Sequence, residues 1–362
     1  MVEDLSEVEV RDAARSMTLK YGLLGLPQGG AKAGITADPT APWSERRERL
    51  LEFGRAIEPM LRERAYIPDA DMGTKAQEIR WMLQTLGAPV FSREWRDNES
   101  GRWTASSVLG AARAALGYLG ESSAGKSVAI EGFGAVGYAV AILFAESGAR
   151  VVAISTSQGA IHDPGGLNVD RLIMLAESVG HHVVEHYPAQ RIPRDSLREL
   201  AVDILSPCAR RHSIHVGNAS TVKARLICPG ANNPVSPEAE AVLLQRGVMS
   251  LPDFLCNCGG VLGGTMAFAS ISRPRIARFI EESVQKIMAK LLAASERTGV
   301  PLRTHAERLA QDRFDRIRAA AAQAGMGAKL FEVALDAYRR GWIPGWASAV
   351  VSPRYFDRAL GL

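Results

Sequence analysis

The run from residue 127 to 137, SVAIEGFGAVG, leaves this chain few folds to choose from. A short, mostly apolar segment reads as a buried strand, and Gly132, Gly134 and Gly137 form a complete G-x-G-x-x-G directly after it. The apolar stretch AVGYAVAILFAESG then opens a helix. Strand, glycine loop and helix in that order give the glycine spacing its meaning. The first glycine permits the tight turn. The second lets backbone N–H groups approach a pyrophosphate, and the third lets the helix pack closely on the strand. With Ala135 and Val136 in its first turn, the helix offers its positive N-terminal end to the anion. A glycine-rich turn without a ligand is the alternative, and the flanking strand and helix argue against it.

Three further apolar runs, RVVAISTSQG, VDILSP and ARLICPGAN, alternate with helical segments. Such alternation predicts a parallel sheet in an α/β domain. A dinucleotide site expects an acidic residue about twenty positions after the glycines, bonded to the ribose 2′-hydroxyl. Here Ser155, Thr156 and Ser157 stand in that place. No carboxylate repels a 2′-phosphate, so the cofactor is NAD or NADP, with the balance leaning to NADP.

The chain has 362 residues, 47% of them hydrophobic, enough for two cored domains. We read an N-terminal domain over 1–115 and a dinucleotide-binding Rossmann domain over 116–324, with helices of 325–362 packing back on the first. Residues 1–25 follow a helical period. Residues 43–64 read as an amphipathic helix with Ser44 as N-cap. YIPDADMGT is a loop, REWRDNESGRWTASS a polar segment, and an alanine-rich helix lies near 105–119. Residues 272–322 and most of the last forty are helical in pattern. The net charge of +4 is spread among acidic residues, which excludes a nucleic-acid footprint. No apolar run is long enough to span a bilayer and no signal-peptide core is present, so a cytoplasmic enzyme is expected. Cys208, Cys228, Cys256 and Cys258 read as free thiols. The CNC of 256–258 lacks zinc-ligand spacing, and no metal is expected.

LPQGGAKAGITADP puts Lys32 among three glycines, with Lys20 upstream in MTLK. A Walker A loop needs Ser or Thr after its lysine, and Ala33 follows Lys32, which removes the phosphate-loop reading. A catalytic amine and a solvated surface lysine are left. In DADMGT, Asp69 and Asp71 are carboxylates for proton transfer, or an Asx turn or cap ahead of the next helix.

Taken in order, MTLK, LPQGGAKAGITADP, YIPDADMGT, GFGAVG, AISTSQGAIHDPGGL, DILSPCA and CPGANNPVSPEAEAVLLQRGVMSLPDFLCNCGGV resemble the glutamate/leucine/phenylalanine/valine dehydrogenase family, nearer its glutamate members. The resemblance covers the chain from residue 6 onward. It implies an α/β fold in two domains, an N-terminal α/β substrate and oligomerisation domain and a Rossmann domain, with a cleft between them. It implies NAD(P)-dependent oxidative deamination of an L-amino acid to a 2-oxo acid and ammonia, and the reverse, by a homo-oligomer. Lys32 takes the place of the family's catalytic lysine, Lys20 that of the lysine on the substrate α-carboxylate, and Asp71 that of the proton-shuttling aspartate. Arg102 resembles an arginine that contacts substrate or cofactor. Ser106 replaces a threonine that meets the nicotinamide amide, and Asn232 and Asn257 match asparagines beside nicotinamide and substrate.

Two departures shape the expectation. Gly264 falls where glutamate members carry a serine for the γ-carboxylate. The G-x-x-G-G-x-R-like strand, with its lysine for the same carboxylate, would precede the first residue, and an upstream start is one expectation. A glutamate preference is therefore not implied, and the amino acid is left open to an apolar or other side chain, because an unpaired buried carboxylate is costly. Two rival readings are a catalytically impaired member acting as a ligand- or partner-binding protein, and another Rossmann oxidoreductase such as a hydroxy-acid enzyme.

Overall fold

The computed structural model describes residues 1–91, 99–323 and 325–361. The first six residues of the polar segment, 93–98, lie outside them. Helix α1 (Glu7–Leu23) starts at Ser6, whose hydroxyl accepts from the Glu9 N–H at 3.2 Å and so satisfies one of the donors a helix leaves open. α2 (Trp43–Ala56), α3 (Glu58–Arg62) and α4 (Ala76–Thr85) follow. The single helix expected over 43–64 is two: Pro59 lacks the N–H that a continuous helix would return to the preceding turn. Pro42 holds the N-cap position and Ser44 lies inside the first turn. Among the described residues before 100, strand pairing is limited to one parallel bridge between Val2 and Thr36.

Helix α5 (Ser100–Tyr118) begins earlier than the alanine-rich stretch suggested, so the polar residues 100–104 belong to it. It is buried continuously from Trp103 to Ala112. A helix enclosed on all sides has room only for small residues at most positions, which accounts for its alanines and serines.

Then come β1 (Ser127–Glu131), α6 (Ala135–Glu146), β2 (Arg150–Thr156), β3 (Gly159–His162), α7 (Val169–Val179), α8 (Val183–His186), β4 (Gln190–Ile192) and β5 (Ile204–Pro207). β6 (Leu226–Ile227), α9 (Pro237–Gln245), β7 (Met249–Ser250), α10 (Asp253–Cys256) and α11 (Gly259–Phe268) complete the sheet region. The seven strands lie in the order β4-β3-β2-β1-β5-β6-β7. β1 pairs parallel with β2 on one side and β5 on the other, and β6 and β7 continue the parallel half. β3 and β4 pair antiparallel beyond β2. The four runs read as strands are β1, β2, β5 and β6. Because the chain leaves β1 for β2 on one side and returns to β5 on the other, the carboxyl end of β1 lies at a switch point, where α/β sheets bind ligands. Ile130, Phe144 and Ile154 are fully buried around it.

The helical run of 272–322 breaks at Gly299 into α12 (Arg273–Thr298) and α13 (Leu302–Ala322). α13 lies along α1 so closely that a Cβ on Gly22 would sit 2.3 Å from the Ala310 carbonyl oxygen. α14 (Met326–Arg339) and α15 (Gly345–Leu360) close the chain. The Tyr338 hydroxyl donates to the Phe268 carbonyl at 2.6 Å, and Phe356 meets Phe279 of α12 edge to face.

Candidate active site

The last turn of α1 carries Lys20, which is only 5% exposed. Its Nζ donates to Asn232 Oδ1 at 2.7 Å, across the space between α1 and the turn after β6. Asn257, just past α10, donates its Nδ2 to the same oxygen at 2.9 Å and to the Ala231 carbonyl at 2.8 Å. Three residues far apart in sequence thus meet at one amide oxygen. The other face of Asn257 is its buried Oδ1, which has no partner. Burial brings the Lys20 ammonium down from 10.5 to about 8, against the opposing charge of Asp253.

Lys32 and Asp71 form an ion pair, with side chains 30% and 52% exposed. Asp71 sits in the loop ahead of α4, where its Oδ1 accepts from the Met72 N–H at 2.8 Å. Burial by itself would raise the Asp71 carboxyl. The charge and hydrogen bond of Lys32 overcome that and hold it below its ordinary value of 3.8. The charges of Lys32 and Asp71 also act on Lys20, more weakly than Asp253 does. Cys258 lies beside Lys20, and burial pushes its thiol up to about 12, which keeps it neutral.

The glycine loop at the end of β1 has the geometry a dinucleotide needs. Gly132 has φ +94°, in the region side chains avoid. A Cβ on Gly137 would lie 1.8 Å from the Gly132 carbonyl oxygen, so no other residue lets α6 come this close. A Cβ on Gly134 would meet nothing within 4 Å: this glycine borders open space at the helix N-terminus. No side chain caps α6, so its first N–H groups are left for an anion, with Ala135 and Val136 in that turn. Gly132, Gly134, Ser155 and Thr156 line a cavity of about 300 Å³.

Ser155 and Thr156 have their hydroxyls engaged with backbone. Ser155 Oγ accepts from the Gly132 N–H at 3.0 Å and so fixes the glycine turn. Thr156 Oγ1 donates to the His181 carbonyl at 2.7 Å. Among the residues of this cavity that sequence reasoning missed are the basic side chains His181, Arg194 and Arg210. Arg210 has no ion-pair partner among the described residues. Arg194 is 4.0 Å from Asp195. The doublet Arg210-Arg211 after Cys208 was the available signal. Glu131 also lines the cavity, but its carboxylate accepts from Arg198 Nη1 at 2.9 Å and Ser213 Oγ at 2.6 Å.

Arg102 is placed differently from the lysines. It lies exposed in the first turn of α5 and lines a second cavity of about 310 Å³ with Glu99, Ala135 and Tyr138. One turn on, Ser106 is buried and its Oγ donates to the Arg102 carbonyl at 3.1 Å. Gly264 is exposed on α11, and a Cβ there would meet nothing within 4 Å. Among the described residues no group of three His, Cys, Asp or Glu could hold a metal ion, and no helix is long and apolar enough to cross a membrane.

With the geometry in place, comparison with known proteins identifies the lineage. Residues 98–325 match the family model for the glutamate/leucine/phenylalanine/valine dehydrogenases, and residues 1–88 match the model for their dimerisation domain. The chain belongs to this family. It is an NAD(P)-dependent amino-acid dehydrogenase. A glutamate dehydrogenase of Thermotoga maritima is 33% identical over 334 residues, covering 86% of this chain and 79% of that protein. An NAD-specific glutamate dehydrogenase of Staphylococcus aureus is 34% identical over 308 residues, covering 80% and 72%. Among solved structures, a hetero-hexameric glutamate dehydrogenase from Thermus thermophilus superposes with a TM-score of 0.76 at 25% identity, over 87% of this chain and 79% of that one. An L-tryptophan dehydrogenase from Nostoc punctiforme shares the fold, with a TM-score of 0.62 at 21% identity over 88% of both chains.

Proposed function

We propose that this dehydrogenase deaminates an L-amino acid with Lys32 as the catalytic amine, prefers NADP, and works as a homo-oligomer. The observation that carries the reading is the meeting of Lys20, Asn232 and Asn257 beside the Lys32–Asp71 pair. Lys20 is a buried cation that takes the substrate α-carboxylate, with Asn232 as the group it leaves. Asn257 Oδ1, buried and unpaired, accepts from the substrate ammonium. Together they fix the α-carbon and so orient the hydride path. Bound NAD(P) would supply the hydride acceptor. Asp71, held as a carboxylate by Lys32, takes a proton from the substrate ammonium and gives it up to solvent, then takes a proton from the attacking water and returns it to the nitrogen that leaves as ammonia. Lys32, released from the ion pair, stabilises the negative charge that develops on the carbonyl oxygen.

The residues at the end of β1 fit a dinucleotide: Gly134 borders open space, and the N–H groups of α6 are uncapped. Arg194 and Arg210 line the same cavity as Ser155, Thr156 and Ser157, which stand where an acid would select against a 2′-phosphate, and the one carboxylate lining that cavity, on Glu131, is held by Arg198 and Ser213. Guanidinium groups suit a phosphate, and the Asp195 carboxylate 4.0 Å from Arg194 is itself paired with Arg198 at 2.8 Å. Substitution of Arg210 by Ala tests the cofactor reading. The KM for NADP should rise about tenfold or more while that for NAD stays within twofold. An equal rise for both, or none, refutes it. Gly264 leaves room over α11 where glutamate members carry a polar partner, so rates over a panel of L-amino acids decide the side chain. The homo-oligomer is supported by the match of residues 1–88 to a dimerisation domain and is measured by sedimentation.

A further inference from the structure

Beyond the groups that would touch substrate, one chain of contacts leads away from the site and returns to it. The starting point is the turn that carries Asn232. The next residue, Asn233, has φ +46°, and its N–H donates to Asp253 Oδ2 at 2.9 Å. Its carbonyl accepts from the His212 N–H at 2.9 Å. Asp253 opens α10 and is only 1% exposed. Its second oxygen accepts from Arg303 Nη1 at 3.0 Å, and the Nε of that arginine donates to Glu240 of α9. Arg303 lies in the first turn of α13, the helix packed along α1. α1 in turn carries Lys20, which reaches back to Asn232.

The circuit is therefore closed. Two helices packed on each other each send one cation to neighbouring residues of a single turn: Lys20 directly to Asn232, and Arg303 to Asn233 through Asp253. A left-handed, non-glycine residue such as Asn233 keeps its conformation only when its surroundings hold it. We propose that Arg303 is a positioning residue for substrate binding, acting through Asp253 and the Asn232–Asn233 turn to set where Lys20 meets the substrate carboxylate. This rests on the reading of Lys20 as the carboxylate-binding cation.

The charges support the same role. The groups that act on Lys20 are Asp253, Cys258, Lys32 and Asp71. Cys258 is neutral through the working range, since its thiol is pushed up to about 12. Lys32 and Asp71 pair with each other. Asp253 is the carboxylate nearest in influence, and Arg303 offsets its charge. Removing Arg303 leaves Asp253 free to favour the charged form of Lys20. Removing both takes that support away.

The test uses the full-length enzyme with L-glutamate and L-leucine as probe substrates, comparing Arg303→Met, Arg303→Lys and the double variant Arg303→Met/Asp253→Asn. In Arg303→Met the amino-acid KM should rise at least tenfold, with kcat within about threefold and the cofactor KM unchanged. Arg303→Lys should recover most of the KM. The alkaline limb of kcat/KM should move to higher pH in Arg303→Met and to lower pH in the double variant, a pair of opposite shifts that loss of stability does not produce. A limb that stays fixed in both variants overturns the proposal, as does a parallel loss of kcat and of affinity for both substrates. If Arg303→Met does not fold, the double variant, which leaves no unpaired carboxylate at position 253 and only the partly exposed Glu240 without its arginine, decides: a wild-type KM and limb overturn the proposal. Lys20→Met separates the two layers. If it leaves the amino-acid KM unchanged, the reading of Lys20 fails. If it raises the KM and the Arg303 variants do not, only the positioning role fails.

Discussion

Replacing Lys20 by Met should make the unliganded protein more stable near neutral pH while disabling it. Lys20 is 5% exposed, and burial lowers its ammonium from 10.5 to about 8. At about 1.4 kcal/mol for each tenfold change in proton affinity, holding that charge inside the fold costs about 3 kcal/mol. The sign follows from linkage. A base whose folded-state pKa lies below its unfolded value destabilises the fold at pH below the folded value, and the cost fades as pH rises from about 8 towards 10.5. Methionine keeps the unbranched stem and drops the charge. The hydrogen bond to Asn232 is lost, at about 1 kcal/mol, but Asn232 Oδ1 still accepts from Asn257 and is not left bare. The net gain at pH 7 is then about 2 kcal/mol; at pH 10.5 the cost of the charge has fallen to about 0.4 kcal/mol, and the variant becomes less stable by about 0.6 kcal/mol. Urea unfolding of both proteins at the two pH values measures it, at one protein concentration so that assembly does not enter. The amino-acid KM should rise by about two orders of magnitude or more, because a charged hydrogen-bond partner is gone. A variant that is less stable at pH 7, or whose stability difference is the same at both pH values, refutes the picture of a desolvated lysine waiting for a carboxylate.

Other outcomes follow from the same structure. Arg198→Met leaves the buried Glu131 carboxylate with Ser213 alone, so thermal unfolding should show a loss of about 3–5 kcal/mol. Adding Glu131→Leu should return most of it. Gly137→Ala puts a methyl 1.8 Å from the Gly132 carbonyl. It should abolish cofactor binding, read by quenching or enhancement of reduced-cofactor fluorescence, and it should lower Tm. Asp71→Asn should cut kcat by about 10²–10⁴, the range for a lost proton-transfer group, with little change in cofactor affinity.

The dinucleotide half was the more legible part of the chain. Its strands are buried on both faces, so β1, β2, β5 and β6 read as continuous apolar runs, and the glycines of the loop each answer a local steric demand. β3, β4 and β7 were not read. They are two to four residues long, and their pairing is fixed by what lies beside them in the sheet. Pro59 divided a helix whose amphipathic pattern ran straight through it. At the site, Lys20, Lys32, Asp71, Asn232 and Asn257 were legible because each lies in a motif of the family's kind. The partnerships were not: that Lys20 and Asn257 share one oxygen of Asn232 depends on α1 meeting the end of the sheet. Ser155 shows the limit most clearly. In sequence it stands where a ribose contact belongs, and in the fold its hydroxyl holds the Gly132 N–H. Arg194 and Arg210 enter the cavity at the end of β1 from loops that carry no nucleotide signature, and only the topology brings them there.

The central claim is that Lys32 does chemistry and not merely pairs with Asp71. Initial rates with twenty L-amino acids, each with NAD and with NADP at alkaline pH, beside Lys32→Ala, test it most directly. The account predicts turnover of at least one amino acid by the wild type, faster with NADP, and a fall in kcat of about 10²–10⁴ in the variant with cofactor binding intact. Equal turnover by wild type and variant, or none by the wild type with any pair, would contradict it.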